Sequence, residues 1–201
     1  MKKIIHLIVL SLFCNPLFSQ MKQSSNKAFS SVLAKSENVS AEVIKNNFYL
    51  LIANKGAKKD TILLKNIEAN KLPLACKIIS FTAKGVKLYS VTWTENKITE
   101  SKLKTENATT TFTEICDVVT KTKLVSNAQT ITKIKEIHFL DAKQTVSETI
   151  QKVRNEGFVL SLTKEGDIIL KNKTQENKMT YNPTDAKFVS ASSPAKPKKK
   201  K

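Results

Sequence analysis

The chain has 201 residues, of which 34 are basic and 17 acidic, and 40% are apolar. This apolar content is enough to form a core, so the composition excludes a wholly disordered chain, and the length fits one domain or two small ones. After the first twenty residues, no apolar run approaches the ~20 positions of a membrane-spanning helix. The sequence therefore predicts no transmembrane helix in the mature chain.

Residues 1–19 have the pattern of a secretory signal peptide. Lys2 and Lys3 give a positive start, an apolar stretch of about ten residues follows, and Ser19 is the small residue that a signal peptidase needs. We expect cleavage after Ser19, which leaves Gln20 as the new N-terminus.

Two alternatives to simple cleavage stay open. One is a lipoprotein signal acylated at Cys14, although the bulky Phe13 before it disfavours that peptidase; the other is an uncleaved anchor. The leader resembles that of exported proteins of Gram-negative bacteria, and this resemblance covers only about twenty residues. It predicts a periplasmic, cell-envelope or secreted location.

Two cysteines, Cys76 and Cys116, remain after cleavage. In an oxidising compartment such a pair is a disulfide candidate, and closing a loop of about 40 residues would contribute ~4 kcal/mol on the chain-entropy model. The alternative is two buried free thiols.

Residues 20–45 are polar and rich in serine, and they predict a linker with one short helical stretch. Residues 46–126 predict a β-rich part, because runs of β-branched residues alternate there with turn residues. Ala83-Lys84-Gly85 and Glu95-Asn96 fit hairpin turns. The predicted strands are Phe48–Ala53, Thr61–Ile67, Leu74–Thr82, Val86–Thr94, Lys97–Leu103 and Thr109–Val119.

Residues 127–183 predict a strand, a helix and a hairpin. Thr145 and Glu148 fit a helix-capping box, and Gly157 fits a helix C-cap. The apolar residues between them recur at helical spacing: Val146, Ile150 and Val153. The whole chain is thus predicted as α+β and strand-dominated, an antiparallel meander followed by a strand-helix-meander unit.

Residues 184–201 predict a disordered basic tail. Its lysines are candidates for contact with an anionic envelope surface: Lys196, Lys198, Lys199, Lys200 and Lys201. Sequence-specific nucleic-acid binding is not expected, because Arg154 is the only arginine and lysine lacks the planar fork that reads guanine or phosphate bidentately.

No catalytic, cofactor-binding or metal-binding residue is assigned. The glycines form no phosphate-binding loop, and His138 is the only histidine after the leader, which leaves a catalytic triad or a transition-metal site without ligands. We interpret His138 as a surface or edge-strand residue. Glu136 and Asp141 beside it are a candidate pair for carboxylate-based hydrolysis. Trp93 fits a core residue better than a sugar-stacking platform.

The sequence therefore predicts an exported envelope or secreted protein with a non-catalytic binding or structural role. The first alternative is a protein that binds polyanions or membrane surfaces through its lysines and tail. The second alternative is a carboxylate-based hydrolase.

Overall fold

The computed structural model describes residues 30–54, 59–68 and 71–190. This part of the chain is all-β, with 13 strands in three antiparallel sheets and no helix. The prediction of a β-rich chain is confirmed, and the prediction of an α+β fold with a strand-helix unit is wrong. No helix able to cross a membrane occurs within these ranges.

Each sheet is a meander in which strands adjacent in sequence pair in space. The N-terminal sheet consists of β1 (Ser30–Ser36), β2 (Val39–Ile44), β3 (Asn47–Ala53) and β4 (Lys59–Asn66). The central sheet consists of β5 (Leu74–Ala83), β6 (Val86–Glu100), β7 (Lys104–Asp117), β8 (Thr122–Phe139) and β9 (Ser147–Gly157). The C-terminal sheet consists of β10 (Val159–Leu162), β11 (Ile168–Lys171), β12 (Glu176–Asn182) and β13 (Lys187–Ser190).

The predicted turn between β5 and β6 is present as a two-residue hairpin loop. Ala83 pairs with Val86, and both loop residues have positive φ, 48° at Lys84 and 83° at Gly85. This backbone matches the right-handed twist of the flanking strands, and glycine reaches it at no steric cost.

The central sheet lies between the other two, and alternation along β6 divides its side chains between two cores. Tyr89, Val91 and Trp93 define a first face, which packs with buried residues of the N-terminal sheet such as Phe48 and Leu50. Leu88 and, on β7, Ile115 belong to the opposite, second face, which packs with the C-terminal sheet. The core of this part of the chain is therefore two thin layers on either side of one sheet, as the two-residue period of a strand requires.

The long strands of the central sheet extend beyond both cores. Residues 96–100 of β6 are exposed, and every residue of β9 except Ile150 is exposed as well. We call residues 95–100, 104–110 and 129–139 together with β9 the overhang. The second face of the overhang and both faces of β9 are largely exposed to solvent, whereas Thr132 and Ile134 on the first face are buried. The exposed positions account for the Thr, Asn, Lys and Glu content, since a strand face in solvent gains nothing from apolar side chains.

The predicted helix near residues 145–157 is instead β9, paired without irregularity to β8. The apolar residues of the predicted helix do not form a buried stripe, because Val146 is 53% exposed and Val153 is 62% exposed. Gly157 has φ +80° and ends the strand, where a Cβ would lie 2.2 Å from the carbonyl oxygen of Ala128. Close backbone approach, rather than a helix cap, explains this glycine.

Three further boundaries differ from the predictions. Residues 30–44 of the predicted linker form β1 and β2, Glu95-Asn96 lies inside β6 rather than in a turn, and β13 occupies the start of the predicted tail. Tertiary pairing decides each case, because a neighbouring strand supplies hydrogen bonds that local composition does not reveal.

Candidate functional site

Several predicted site residues lie outside the described residues. These are Cys14, the cleavage residues Ser19 and Gln20, and the five tail lysines, Lys196 and Lys198 to Lys201. Their assignments remain predictions from the sequence.

The two cysteines of the described part are free thiols. Cys76 lies on β5 and Cys116 on β7, with β6 between these strands. Neighbouring strands are ~4.8 Å apart, so the two Cα atoms exceed the ~7 Å limit for a disulfide. Burial raises the pKa of Cys76 to about 11 and that of Cys116 to about 12, so both thiols are protonated and unreactive at neutral pH. The predicted bridge is not present, and the pair consists of two free thiols, Cys116 buried and Cys76 partly buried.

Glu136 and His138 lie side by side on β8, on the first face of the overhang. The Nε2 atom of His138 is 3.2 Å from Oε2 of Glu136, and the Nζ atom of Lys152 is 3.3 Å from the same oxygen. These two neighbours, His138 first, lower the pKa of the Glu136 carboxyl. His138 is partly exposed and pairs with Glu148 of β9, whereas the pairing of β8 with β7 ends at Glu136, so His138 lies at a solvent-exposed margin of the sheet.

Asp141 lies in the turn after β8 and has a structural role. Its Oδ1 accepts hydrogen bonds from the amides of Thr145 and Val146 at 2.9 Å each, and its Oδ2 accepts one from the Thr145 hydroxyl at 2.6 Å. These hydrogen bonds lower the pKa of Asp141, the Thr145 hydroxyl contributing most. Since the pKa of Glu136 is lowered too, neither carboxyl has the raised pKa that a general acid requires.

Trp93 belongs to the core beneath the N-terminal sheet. Its ring is 1% exposed, meets Phe48 edge-on at 5.1 Å and stacks on Phe112 at 5.2 Å. The indole Nε1 donates to Glu95 at 3.1 Å. A buried ring with a satisfied N–H offers no face to a sugar, so Trp93 contributes to stability.

A cavity lies on each face of the central sheet, where the overhang emerges from between the flanking sheets. The first-face cavity has a volume of about 540 Å³ and is lined by charged residues that include Lys65, Glu68, Lys71 and Glu95. Lys65 donates to Glu95 at 2.6 Å and lies 4.1 Å from the centre of the Phe112 ring. Glu68 and Lys71 also pair with each other, so these charges are neutralised within the cavity.

The second-face cavity, which we call the amide groove, has a volume of about 640 Å³. Its floor is formed by β8 and β9, and its wall by β10, β11 and the turn that follows β11. The lining is uncharged except for two lysines, and it combines amides, hydroxyls and aliphatic groups: Gln129, Ile131, Asn155, Gly157, Val159, Ser161, Lys171, Asn172, Lys173 and Thr174.

The amide groove is held in shape by contacts of its borders. Asn127 on β8 donates to the carbonyl of Phe158 at 2.9 Å, which fixes the chain where it passes from β9 to β10. At the other border, Oδ1 of Asn172 accepts from the amides of Thr174 and Gln175 at 2.9 and 2.8 Å. These bonds form a compact Asx turn, so the polar groups of the wall are pre-positioned.

Two aliphatic side chains of the amide groove face solvent. Val159 is 55% exposed and Ile131 39%. A pocket of a few hundred Å³ that combines apolar surface with a small number of fixed polar groups is typical of a ligand site. Sequence reasoning missed this groove because it brings together residues 129–131, 155–161 and 171–174, whose proximity depends on how two sheets stack.

No group of histidine, cysteine and acidic side chains that could hold a metal ion occurs among the described residues. Comparison of the chain with family models, with curated proteins and with solved structures found no match.

Proposed function

We propose that this chain is an exported envelope or secreted protein that binds a hydroxyl-rich glycan in the amide groove without catalysing a reaction. The observation that carries the proposal is the lining of this groove, in which amides and hydroxyls surround exposed aliphatic groups on the surface of a sheet. The N-terminal sequence pattern supports export.

The chemistry of the amide groove suits a sugar chain. Each side-chain amide offers both donors and an acceptor, so Gln129 and Asn155 can each bond to paired hydroxyls or to an acetamido group. Ile131 and Val159 offer apolar surface to the C–H groups of a pyranose ring. Lys173 at the wall can bond to sugar oxygens or to an acidic substituent.

The binding part is tested by titrating ¹⁵N-labelled chain with the tetramer of N-acetylglucosamine and following amide shifts. We expect shifts at residues 129–131, 155–161 and 171–174, and weaker binding by Asn155→Val. Thr149→Val is the matched control, because Thr149 lies on the same strand and face outside the amide groove. Unchanged spectra with this tetramer and with an acidic hexuronate tetramer would contradict the proposal.

The export part is tested in the native host by cell fractionation and by mass spectrometry of the N-terminus. We expect the chain outside the cytoplasm with Gln20 as its first residue. A chain that starts at Met1 and fractionates with cytoplasmic proteins would contradict export. Glycan binding in the amide groove is tested independently, by the titration.

A second candidate function, binding to anionic surfaces, is favoured by the distribution of charge. All 17 acidic residues lie within the described ranges, whereas residues 20–29 and 191–201 of the proposed mature chain contain seven lysines and no acidic residue. Much of the charge excess is thus concentrated in the terminal segments. Binding to phosphatidylglycerol vesicles that falls steeply with salt, and is lost on deletion of residues 194–201, would support this function.

A further inference from the structure

The outer edge of β9 is the longest regular free edge in the described part of the chain. β9 has 11 residues, pairs with β8 without a register shift, and has no strand on its other side. The other edge strands are shorter or broken: β1, β4 and β5 pair across a register irregularity, and β10 and β13 have four residues each. Such irregularities and short lengths protect sheet edges, and β9 lacks both.

The backbone of β9 directs every second residue outward. The amide of Leu140 donates to the carbonyl of Val146 at 2.9 Å, in the register that pairs Phe139 with Ser147. Even-numbered residues of β9 therefore bond to β8, because hydrogen-bonded and non-bonded pairs alternate along an antiparallel ladder. The free N–H and C=O groups belong to odd-numbered residues: Ser147, Thr149, Gln151, Val153, Asn155 and Gly157.

We propose that β9 pairs antiparallel with β9 of a second copy, about a two-fold axis at Gln151, which joins the two central sheets into one. In this register the outward-directed residues from 147 to 155 meet one another, so each free N–H of this range finds a carbonyl of the other copy. On the second face, Thr149 lies opposite Val153, a pairing of β-branched side chains that favours sheet formation.

This register is complementary in charge. On the first face, Glu148 of one copy lies opposite Arg154 of the other, and the symmetry makes this pair twice. Glu148 is exposed and has no ion pair within the described residues, so the pairing supplies its counter-charge. Ile150 lies opposite the aliphatic stem of Lys152.

The register of greatest overlap, with Lys152 on the axis, is disfavoured. It would place Lys152 opposite Lys152 and Glu148 opposite Glu156, and like charges directly opposite each other destabilise a strand pair. The self-complementary pattern therefore favours Gln151 over Lys152 at the axis.

A series of single-cysteine variants tests the register. Each variant is made in the full chain carrying Cys14→Ser. In the proposed dimer, residue 151 of one copy lies opposite residue 151 of the other at a Cα separation of ~5.5 Å, within the range that a disulfide can bridge. We expect Gln151→Cys to form a disulfide-linked dimer on mild oxidation. Thr149→Cys and Val153→Cys should each stay unlinked alone and should cross-link when mixed. The chain with Cys14→Ser and no added cysteine is the control, because it shows any cross-linking through Cys76 or Cys116, which are partly or fully buried.

Analytical ultracentrifugation up to ~1 mM chain tests the association itself, since this range detects even a millimolar Kd. We expect a concentration-dependent dimer that Gln151→Ala retains and Gln151→Pro abolishes. Proline at 151 removes only an outward N–H and leaves the bonds to β8 intact. A chain that stays monomeric throughout, or Val153→Cys that cross-links with itself while Gln151→Cys does not, would overturn the proposal.

Discussion

Glu114 shows how one buried carboxyl group sets a dependence of stability on pH. It is 8% exposed on β7, accepts a hydrogen bond from the Ser126 hydroxyl at 2.5 Å and lies 3.8 Å from Lys123. Burial raises its pKa against these two smaller opposing contributions. Its ionised form is therefore less stable in the folded chain than in the unfolded chain.

We predict that Glu114→Gln raises the free energy of unfolding at pH 7. A raised folded pKa stabilises the chain fully below the unfolded pKa of about 4.3, and this contribution is lost as pH rises through the folded pKa. The gain from the substitution should thus vanish near pH 4, as measured by urea unfolding across pH.

Glu106, on the same strand, is the matched control because its pKa is lowered, mainly by a hydrogen bond from Lys104. Its stabilising contribution is present above the unfolded pKa and is lost as pH falls, so Glu106→Gln should destabilise the chain at pH 7 and have little effect at low pH. Equal effects of the two substitutions would contradict the opposite directions assigned to the pKa shifts of Glu114 and Glu106.

Gly157 ends β9 at a position where an added methyl group would clash with the neighbouring backbone. Gly157→Ala should reduce the free energy of unfolding by ~1–3 kcal/mol or more, because the new Cβ combines positive φ with a clash against Ala128. Gly85→Ala is the control: it has a similar φ, +83°, with nothing within 4 Å, so we expect a loss of only ~1 kcal/mol. Urea denaturation compares the two, and equal losses would show that the clash is relieved without cost.

At the scale of elements, the sequence predicted strands well where one face is buried. The predicted Leu74–Thr82 is close to β5, and Phe48–Ala53 is close to β3, because their β-branched and aromatic residues alternate with polar ones or form apolar runs. It failed in the overhang, where β9 has both faces in solvent and carries no alternating pattern. A helical spacing of three apolar residues was then the strongest remaining signal, and pairing with β8 outweighed it.

The turn between β8 and β9 depends on Asp141. We predict that Asp141→Ala increases hydrogen exchange at the amides of Thr145 and Val146, because both lose the carboxylate that accepts their hydrogen bonds. Asp141→Asn, which keeps one acceptor oxygen, should have a smaller effect. Exchange rates that stay unchanged in the alanine variant would show that the turn is held by its backbone alone.

At the scale of the whole molecule, the stacking of the sheets determines both the core and the amide groove. No local pattern predicts that β6 serves two cores, because alternation tells which residues share a face and does not tell what covers each face. The same limit applies to Gln129, Asn155 and Asn172, which are ordinary polar residues until the C-terminal sheet lies against the central one.

The buried cysteines report whether the layers remain closed. Cys116 is fully buried in the core between the N-terminal and central sheets, and Cys76 packs against the same core. In the full chain carrying Cys14→Ser, we predict that a thiol reagent at pH 8 modifies Cys116 only at the rate of global opening, and Cys76 slowly, because their pKa values near 12 and 11 leave almost no thiolate.

Trp93→Ala should accelerate modification of both thiols, since loss of a buried aromatic from that core costs ~3–5 kcal/mol and shifts the opening equilibrium. Ile168→Ala, in the core on the opposite face of the central sheet, distinguishes two modes of opening. If the three sheets open as one cooperative unit, Ile168→Ala accelerates the modification of Cys116 in proportion to the stability that this substitution removes. If the N-terminal layer separates independently, Cys116 modification responds to Trp93→Ala alone. We expect the first result, because β6 and β7 supply buried side chains to both cores and neither layer can lose them without affecting the other.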